Sequence, residues 1–202
     1  MKTKGYYVNL RNYFGKNRRI IYIVSLALTL LFSVFNRILG MTKQSIWHET
    51  ISIYYFVLVI IKGILILFIH KDNLKEKEFK IYRLIKMALI VLNIFLIIPI
   101  TLLIMNKRLV EMTLIPSIAI ALYVTIKTIV TITQFVRRRN DSKLFKELRT
   151  VNLMDVTVSI LTLTNTLISV NSTEFDIRLH YLTISVCVVG FCMNSFLLII
   201  LK

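Results

Sequence analysis

The sequence predicts an all-α, polytopic membrane protein: a bundle of six transmembrane helices with both termini on the cytoplasmic side. Three observations predict it. The chain of 202 residues is 56% hydrophobic with a mean hydropathy of +0.73, whereas soluble domains are roughly 45–50% apolar. Apolar runs of about 20 residues, the length that spans a hydrocarbon core of about 30 Å, recur six times. Lys and Arg gather in alternate loops between those runs. Backbone groups in lipid must be hydrogen-bonded within the protein, so only helices or a closed barrel can cross. A barrel would show alternating segments of about 10 residues, and these runs neither alternate nor stop so soon. With only five glycines and two prolines, loops must be short and helices long.

Residues 1–19 form a basic leader with Lys2, Lys4, Arg11, Lys16, Arg18 and Arg19. Tyr6, Tyr7, Leu10, Tyr13 and Phe14 lie between them at helical spacing. The pattern fits a short amphipathic helix on the membrane surface; the alternative is a disordered basic leader. A basic start before an apolar run is also the plan of a signal peptide, but no small-residue cleavage site follows near Val34–Arg37. The first run is therefore expected as an uncleaved span. Residues 20–202 are read as one transmembrane domain, with spans Ile20–Leu39, Ile51–Ile69, Leu84–Met105, Thr113–Val136, Val151–Val170 and Tyr181–Leu201.

Charge sets the orientation. The leader, the loop around 71–86, the loop around 137–149 and Lys202 together carry 19 of the 26 basic residues. The opposite side carries five: Arg37, Lys43, Lys107, Arg108 and Arg178. The positive-inside rule places the richer side, with both termini, in the cytoplasm of a plasma membrane, and Trp47 fits an interfacial anchor on the other face. This distribution explains the net charge of +16 without nucleic acid. The expected partners are the bilayer itself and anionic lipid headgroups at the cytoplasmic face, worth about 1 kcal/mol per well-placed cation.

The segment Val59–Ile64, with Lys62, falls on Val124–Ile129, with Lys127, after a shift of 65 residues. A shift of 66 places Phe79-Lys80 on Phe145-Lys146 and Arg83 on Arg149. The shared plan is a helix with a central Lys, a basic turn, and Phe-Lys-x-x-Arg opening the next helix. Both copies would run in the same sense, as parallel repeats. Apolar helices also match by chance. Cys187 and Cys192 lie five apart in one run, about 140° around a helix, and are expected as buried thiols that cannot pair. His48, His70 and His180 are too scattered for a metal site. The sequence calls for no cofactor, and no Walker A, HExxH, CxxC or GxSxG pattern occurs. No nucleophile–base constellation is visible, which argues against an enzyme. Asn171-Ser172-Thr173 matches a glycosylation sequon, a match common by chance.

Ionisable residues inside spans cost at least about 2.5–3.5 kcal/mol at mid-membrane, so they mark the candidate site. Counting from the nearest basic end at 1.5 Å per residue, Lys62 sits about 12 Å deep, Lys127 about 15 Å and Asp155 about 9 Å. In the fifth span Asn152, Asp155, Ser159, Thr162, Thr166 and Ser169 are spaced 3, 4, 3, 4, 3 and form one stripe. Shorter stripes are Tyr123, Lys127, Thr131 and Gln134 in the fourth span, Ser52, Tyr55 and Lys62 in the second, and His180, Thr183, Cys187 and Asn194 in the sixth. Lys62, Lys127, Asp155, Tyr55, Tyr123, Asn152, Ser159 and Thr162 are the ligand-binding or ion-pair candidates. Three readings stand: helix–helix glue, with a Lys127–Asp155 pair locking the bundle; a cytoplasm-facing polar cavity whose excess positive charge suits an anionic or phosphate-bearing ligand; and proton relay through Asp155.

Several of these residues also carry a resemblance. Ser45-Ile46-Trp47 leading to Tyr54-Tyr55 and Lys62, Glu111-Met112-Thr113 leading through Tyr123 to Lys127, and Asp155 followed by Ser159-Ile160-Leu161-Thr162-Leu163 resemble an uncharacterised bacterial family of six-span integral membrane proteins. The resemblance covers roughly residues 45–200. It implies a six-span fold and a bacterial plasma membrane, and no activity. Where that family's pattern has Arg in the second span this chain has Lys62, which removes bidentate pairing there. Six spans in a chain of this length also resemble the substrate-binding subunits of vitamin-importing ATP-driven transporters. Their first helix carries Ala-x-x-x-Ala, but Ala27 here has no such partner. The expected function is small-solute or ion passage, or substrate binding for a transport complex. The alternative is a non-catalytic partner or regulatory subunit of another membrane complex.

Overall fold

A computed structural model describes residues 3–69, 78–105, 113–136, 143–171 and 177–200. The elements among them are all α-helices: α1 (Thr3–Lys43), α2 (Ile46–Ile69), α3 (Glu78–Phe95), α4 (Ile97–Met105), α5 (Leu114–Val136), α6 (Lys143–Asn171) and α7 (Ile177–Ile200). Six helical stretches among them are long and apolar enough to cross a membrane: Ile20–Lys43, Ile46–Ile69, Phe79–Leu102, Leu114–Gln134, Leu144–Val170 and Tyr181–Ile199. His70, Ser172 and Thr173 of the sequon, Glu111 and Met112, and the basic residues at 71–77, 107–108, 137–139 and 202 lie outside the described residues.

The polarity of the bundle is inverted relative to a soluble protein. α5 buries Ser117, Lys127, Thr131 and Gln134 while exposing Ile115, Ile118, Leu122, Ile126, Ile129 and Ile132. α1 buries Ser25, Thr29, Ser33 and Asn36 and exposes Ile23, Leu30, Leu31 and Val34. In water such a surface would be a large unsatisfied apolar patch. In lipid it is the favourable arrangement, because only the interior offers hydrogen-bond partners.

Helix boundaries run past the apolar runs. α1 is continuous from Thr3 through the leader to Lys43, α2 begins at Ile46 rather than Ile51, α3 at Glu78 rather than Leu84, and α6 at Lys143 rather than Val151. The extra turns are amphipathic: Trp47 and His48 of α2, and Leu144 and Leu148 of α6, are buried. Packing, not unbroken apolarity, therefore sets the ends. The span expected as one helix from Leu84 to Met105 is two, α3 and α4, broken at Leu96. Pro99 is the cause, since it offers no N–H to the Phe95 carbonyl and its ring crowds that group. The Leu96 N–H donates instead to the Asn93 carbonyl at 3.1 Å.

The α1–α2 connection is tight. Gln44 takes a left-handed φ of 51°, and the Ser45 N–H donates to the Gly40 carbonyl at 3.0 Å, a helix-terminating Schellman arrangement. Gly40 is needed there, because a Cβ would lie 2.6 Å from Glu49 Cγ and 2.8 Å from its backbone nitrogen. The expectation of two buried thiols needs correction. Cys187 is buried and Cys192 exposed, because the rotation of about 140° between them turns one inward and the other out.

Candidate functional site

Four helices bring polar stripes to one place inside the bundle. Ser25, Thr29, Ser33 and Asn36 on α1 are spaced 4, 4, 3 and all buried. α2 contributes Tyr55 and Lys62, α5 contributes Lys127 and Gln134, and α6 contributes Asn152, Asp155 and Ser159, all buried. Hydroxyls along these stripes bond back to their own helices, Thr29 to the Ser25 carbonyl at 2.8 Å and Ser159 to the Asp155 carbonyl at 2.7 Å. Such back-bonding is how Ser and Thr are accommodated in apolar helices.

The centre is Asp155 Oδ2. It accepts from Lys127 Nζ at 2.6 Å and from Lys62 Nζ. Thr29 Oγ1 sits 2.8 Å from the same oxygen. That hydroxyl has one proton, which serves either Asp155 or the Ser25 carbonyl, and its lone pairs accept from both lysines, Lys62 at 2.9 Å and Lys127. Lys127 also donates to the Ser25 carbonyl at 2.9 Å and lies 3.3 Å from Ser25 Oγ. The three charged side chains are 0–1% exposed. Each buried ion costs several kcal/mol of desolvation unless paired, and here two ammonium groups share one carboxylate.

Hydrogen bonds extend from this centre in both directions along α6. Ser25 Oγ donates to Asn152 Oδ1 at 3.0 Å, and Asn152 Nδ2 donates to Gln134 Oε1 at 2.5 Å. On the other side Ser159 Oγ lies 3.4 Å from Asp155 Oδ1 and 2.9 Å from Tyr55 OH. Phe32 closes this end. Its ring stacks on Tyr123 at 3.8 Å and meets Tyr55 edge-on at 4.8 Å. Beyond Phe32, a second polar knot holds α1 to α2: Asn36 Oδ1 lies 2.8 Å from His48 Nδ1, Ser33 donates to the Ser52 carbonyl at 2.8 Å, and Arg37 meets Glu49 at 3.4 Å.

Seven of the eight candidate residues thus meet: Lys62, Lys127 and Asp155 at the centre, Ser159 one bond away, Asn152 and Tyr55 two bonds away through Ser25 and Ser159, and Tyr123 through its ring. Thr162 is buried but bonds only the Val158 carbonyl of its own helix, at 2.9 Å. Ser25, Thr29 and Phe32 were not among the candidates. The 4, 4, 3 spacing of α1 polar residues is the signal that points to the first two. Among the described residues no group of three His, Cys, Asp or Glu side chains could hold a metal ion.

The fold and the cluster define a class, an α-helical protein with six helices fit to span a membrane and a charged core shared by four of them. Beyond that class, no protein-family model, curated protein or solved structure matches the chain.

Proposed function

We propose that this chain is a multi-pass membrane protein, both termini cytoplasmic, that binds a small solute at the Lys62–Asp155–Lys127 cluster and passes it on, either across the membrane or to a transport complex. The observation that carries the reading is the meeting of three ionisable side chains from three helices, fully buried, in a bundle with an apolar exterior. Intramembrane charges are expensive and mark solute or ion pathways by default. The 19-to-5 distribution of basic residues supports the orientation, and it supports anionic headgroups as lipid partners of the basic face. The chain Gln134–Asn152–Ser25–Lys127 supplies polar footholds between the cluster and the cytoplasmic end of α5.

The test compares cells making equal membrane amounts of the chain and of Lys127→Gln. The reading expects a change in the cellular or medium solute profile that the variant abolishes. Identical profiles with and without the variant would reject it. The second reading, a non-transporting partner held rigid by this cluster, is favoured by one observation: Asp155 Oδ2 is shared by both lysines, so each charged group already has an opposite charge beside it within the bundle. A stoichiometric partner that co-purifies with the chain, and survives Lys127→Gln, supports that alternative.

A further inference from the structure

The cluster is unbalanced, and the imbalance has a sign. Two ammonium groups face one carboxylate, which leaves one positive charge among side chains 0–1% exposed. The hydrogen-bond inventory is unbalanced in the same sense. Lys62 Nζ has three N–H groups but two acceptors, Asp155 Oδ2 and Thr29 Oγ1, and Lys127 uses both as well. The Tyr123 ring stacks on Phe32 at 3.8 Å, and its hydroxyl is buried without a hydrogen-bond partner. Its ring also sits 6.0 Å from Lys127 Nζ. A spare N–H on Lys62 and a spare O–H on Tyr123 therefore belong to the same cluster, and what is missing at both is an acceptor.

Resting on the reading of the cluster as a solute site, we propose that it takes one small monovalent anion, held by Lys62 Nζ and Tyr123 OH. A monoanion brings the core to neutrality. A dianion such as phosphate would invert the charge, a cation would double it, and a neutral solute would leave it unchanged. In a low-dielectric interior an uncompensated charge of either sign is costly, so the count discriminates among these classes. Asp155 does not need to be displaced, because Lys127 retains it at 2.6 Å together with the Ser25 carbonyl at 2.9 Å.

The test uses the purified full chain in detergent or liposomes, with chloride, acetate, sulfate and inorganic phosphate at pH 8 as probes at matched ionic strength. Thermal unfolding should rise saturably with chloride or acetate. Sulfate and phosphate should give only the gradual, non-saturating rise of excluded salts. Lys62→Gln should lose the saturable part and Lys62→Arg keep it. Tyr123→Phe retains the ring against Phe32 and removes one hydrogen bond to a charged ligand, so it should raise the half-saturating concentration about tenfold. That variant keeps the test valid even where Lys62→Gln folds poorly. A saturable response to phosphate equal to that of the monoanions, no saturable response to chloride or acetate, or one unchanged in Tyr123→Phe would each overturn the proposal. If the solute profile still depends on Lys127 while no monoanion saturates, the site stands and its ligand class is wrong. If neither effect is found, the site itself is wrong.

Discussion

Lys62 and Lys127 occupy matching places, 65 residues apart, each in the middle of a helix that leads into a basic turn. Both end on the same carboxylate oxygen, yet their surroundings differ. Lys127 has a backbone carbonyl, two hydroxyl oxygens and Asp155 within reach. Lys62 has one hydroxyl and Asp155. The difference lies one turn before Thr29 on α1, at Ser25, whose carbonyl and hydroxyl only Lys127 reaches. The acid itself comes from α6, which packs more extensively on α5 than on α2. The position that a shift of 66 pairs with Asp155 is Leu89, a buried apolar residue. One hairpin thus carries the acid for both lysines. A similar plan in sequence yields a well-coordinated lysine and a loosely coordinated one, and the loosely coordinated one is where chemistry is available.

The largest effect should come from removing what the two lysines share. Asp155→Asn leaves two buried ammonium groups without a counter-charge and is expected to destabilise the bundle by about 3–5 kcal/mol, read as loss of folded protein from membranes and of cooperative unfolding in detergent. Next come the lysines themselves. Lys127→Met should cost about 3 kcal/mol, since it removes charge-assisted bonds to α1 as well as to Asp155. Lys62→Met should cost clearly less, because Asp155 stays paired with Lys127 and the excess charge disappears. Unfolding midpoints of the two variants decide the matter: equal losses would mean the two sites are equivalent after all. Gly40→Ala should act on one lysine only. Its Cβ would meet the Glu49 backbone, so α2 must shift away from α1, at a cost of about 2 kcal/mol for overpacking. Chloride or acetate saturation, which depends on Lys62, should weaken in that variant even where the fold is kept.

The sequence makes the spans and the charged positions readable, because apolar length and a mid-span Lys or Asp need no knowledge of neighbours. Their meeting is another matter. The depths of about 9, 12 and 15 Å counted from the ends put Asp155, Lys62 and Lys127 at different levels. That count fails because α6 begins eight residues earlier than its apolar run and because a lysine side chain reaches several ångströms along the bundle. Ser25 and Thr29 do not stand out in the sequence because hydroxyls are common in apolar helices, and nothing in a single chain says which of four stripes face one another. Pro99 was visible, but a proline in a membrane helix does not by itself say whether the helix kinks or breaks.

The smallest effect tests why Lys62 is the less tightly held lysine. Gly63 follows it where the matching residue after Lys127 is Thr128, whose hydroxyl bonds the Val124 carbonyl at 2.8 Å. α2 could be the softer helix for that reason alone. A Cβ at Gly63 would meet nothing within 4 Å, so Gly63→Ala stiffens α2 without a clash. In water the gain would be about 0.5–1 kcal/mol. In lipid the unfolded chain keeps much of its helix, because its backbone has no water to bond, and the gain should be smaller still. The informative readout is therefore the half-saturating chloride or acetate concentration rather than stability. If Lys62 is loosely held because it has too few acceptors, that concentration stays unchanged in Gly63→Ala. A clear shift would instead trace the difference between the two lysines to the backbone of α2.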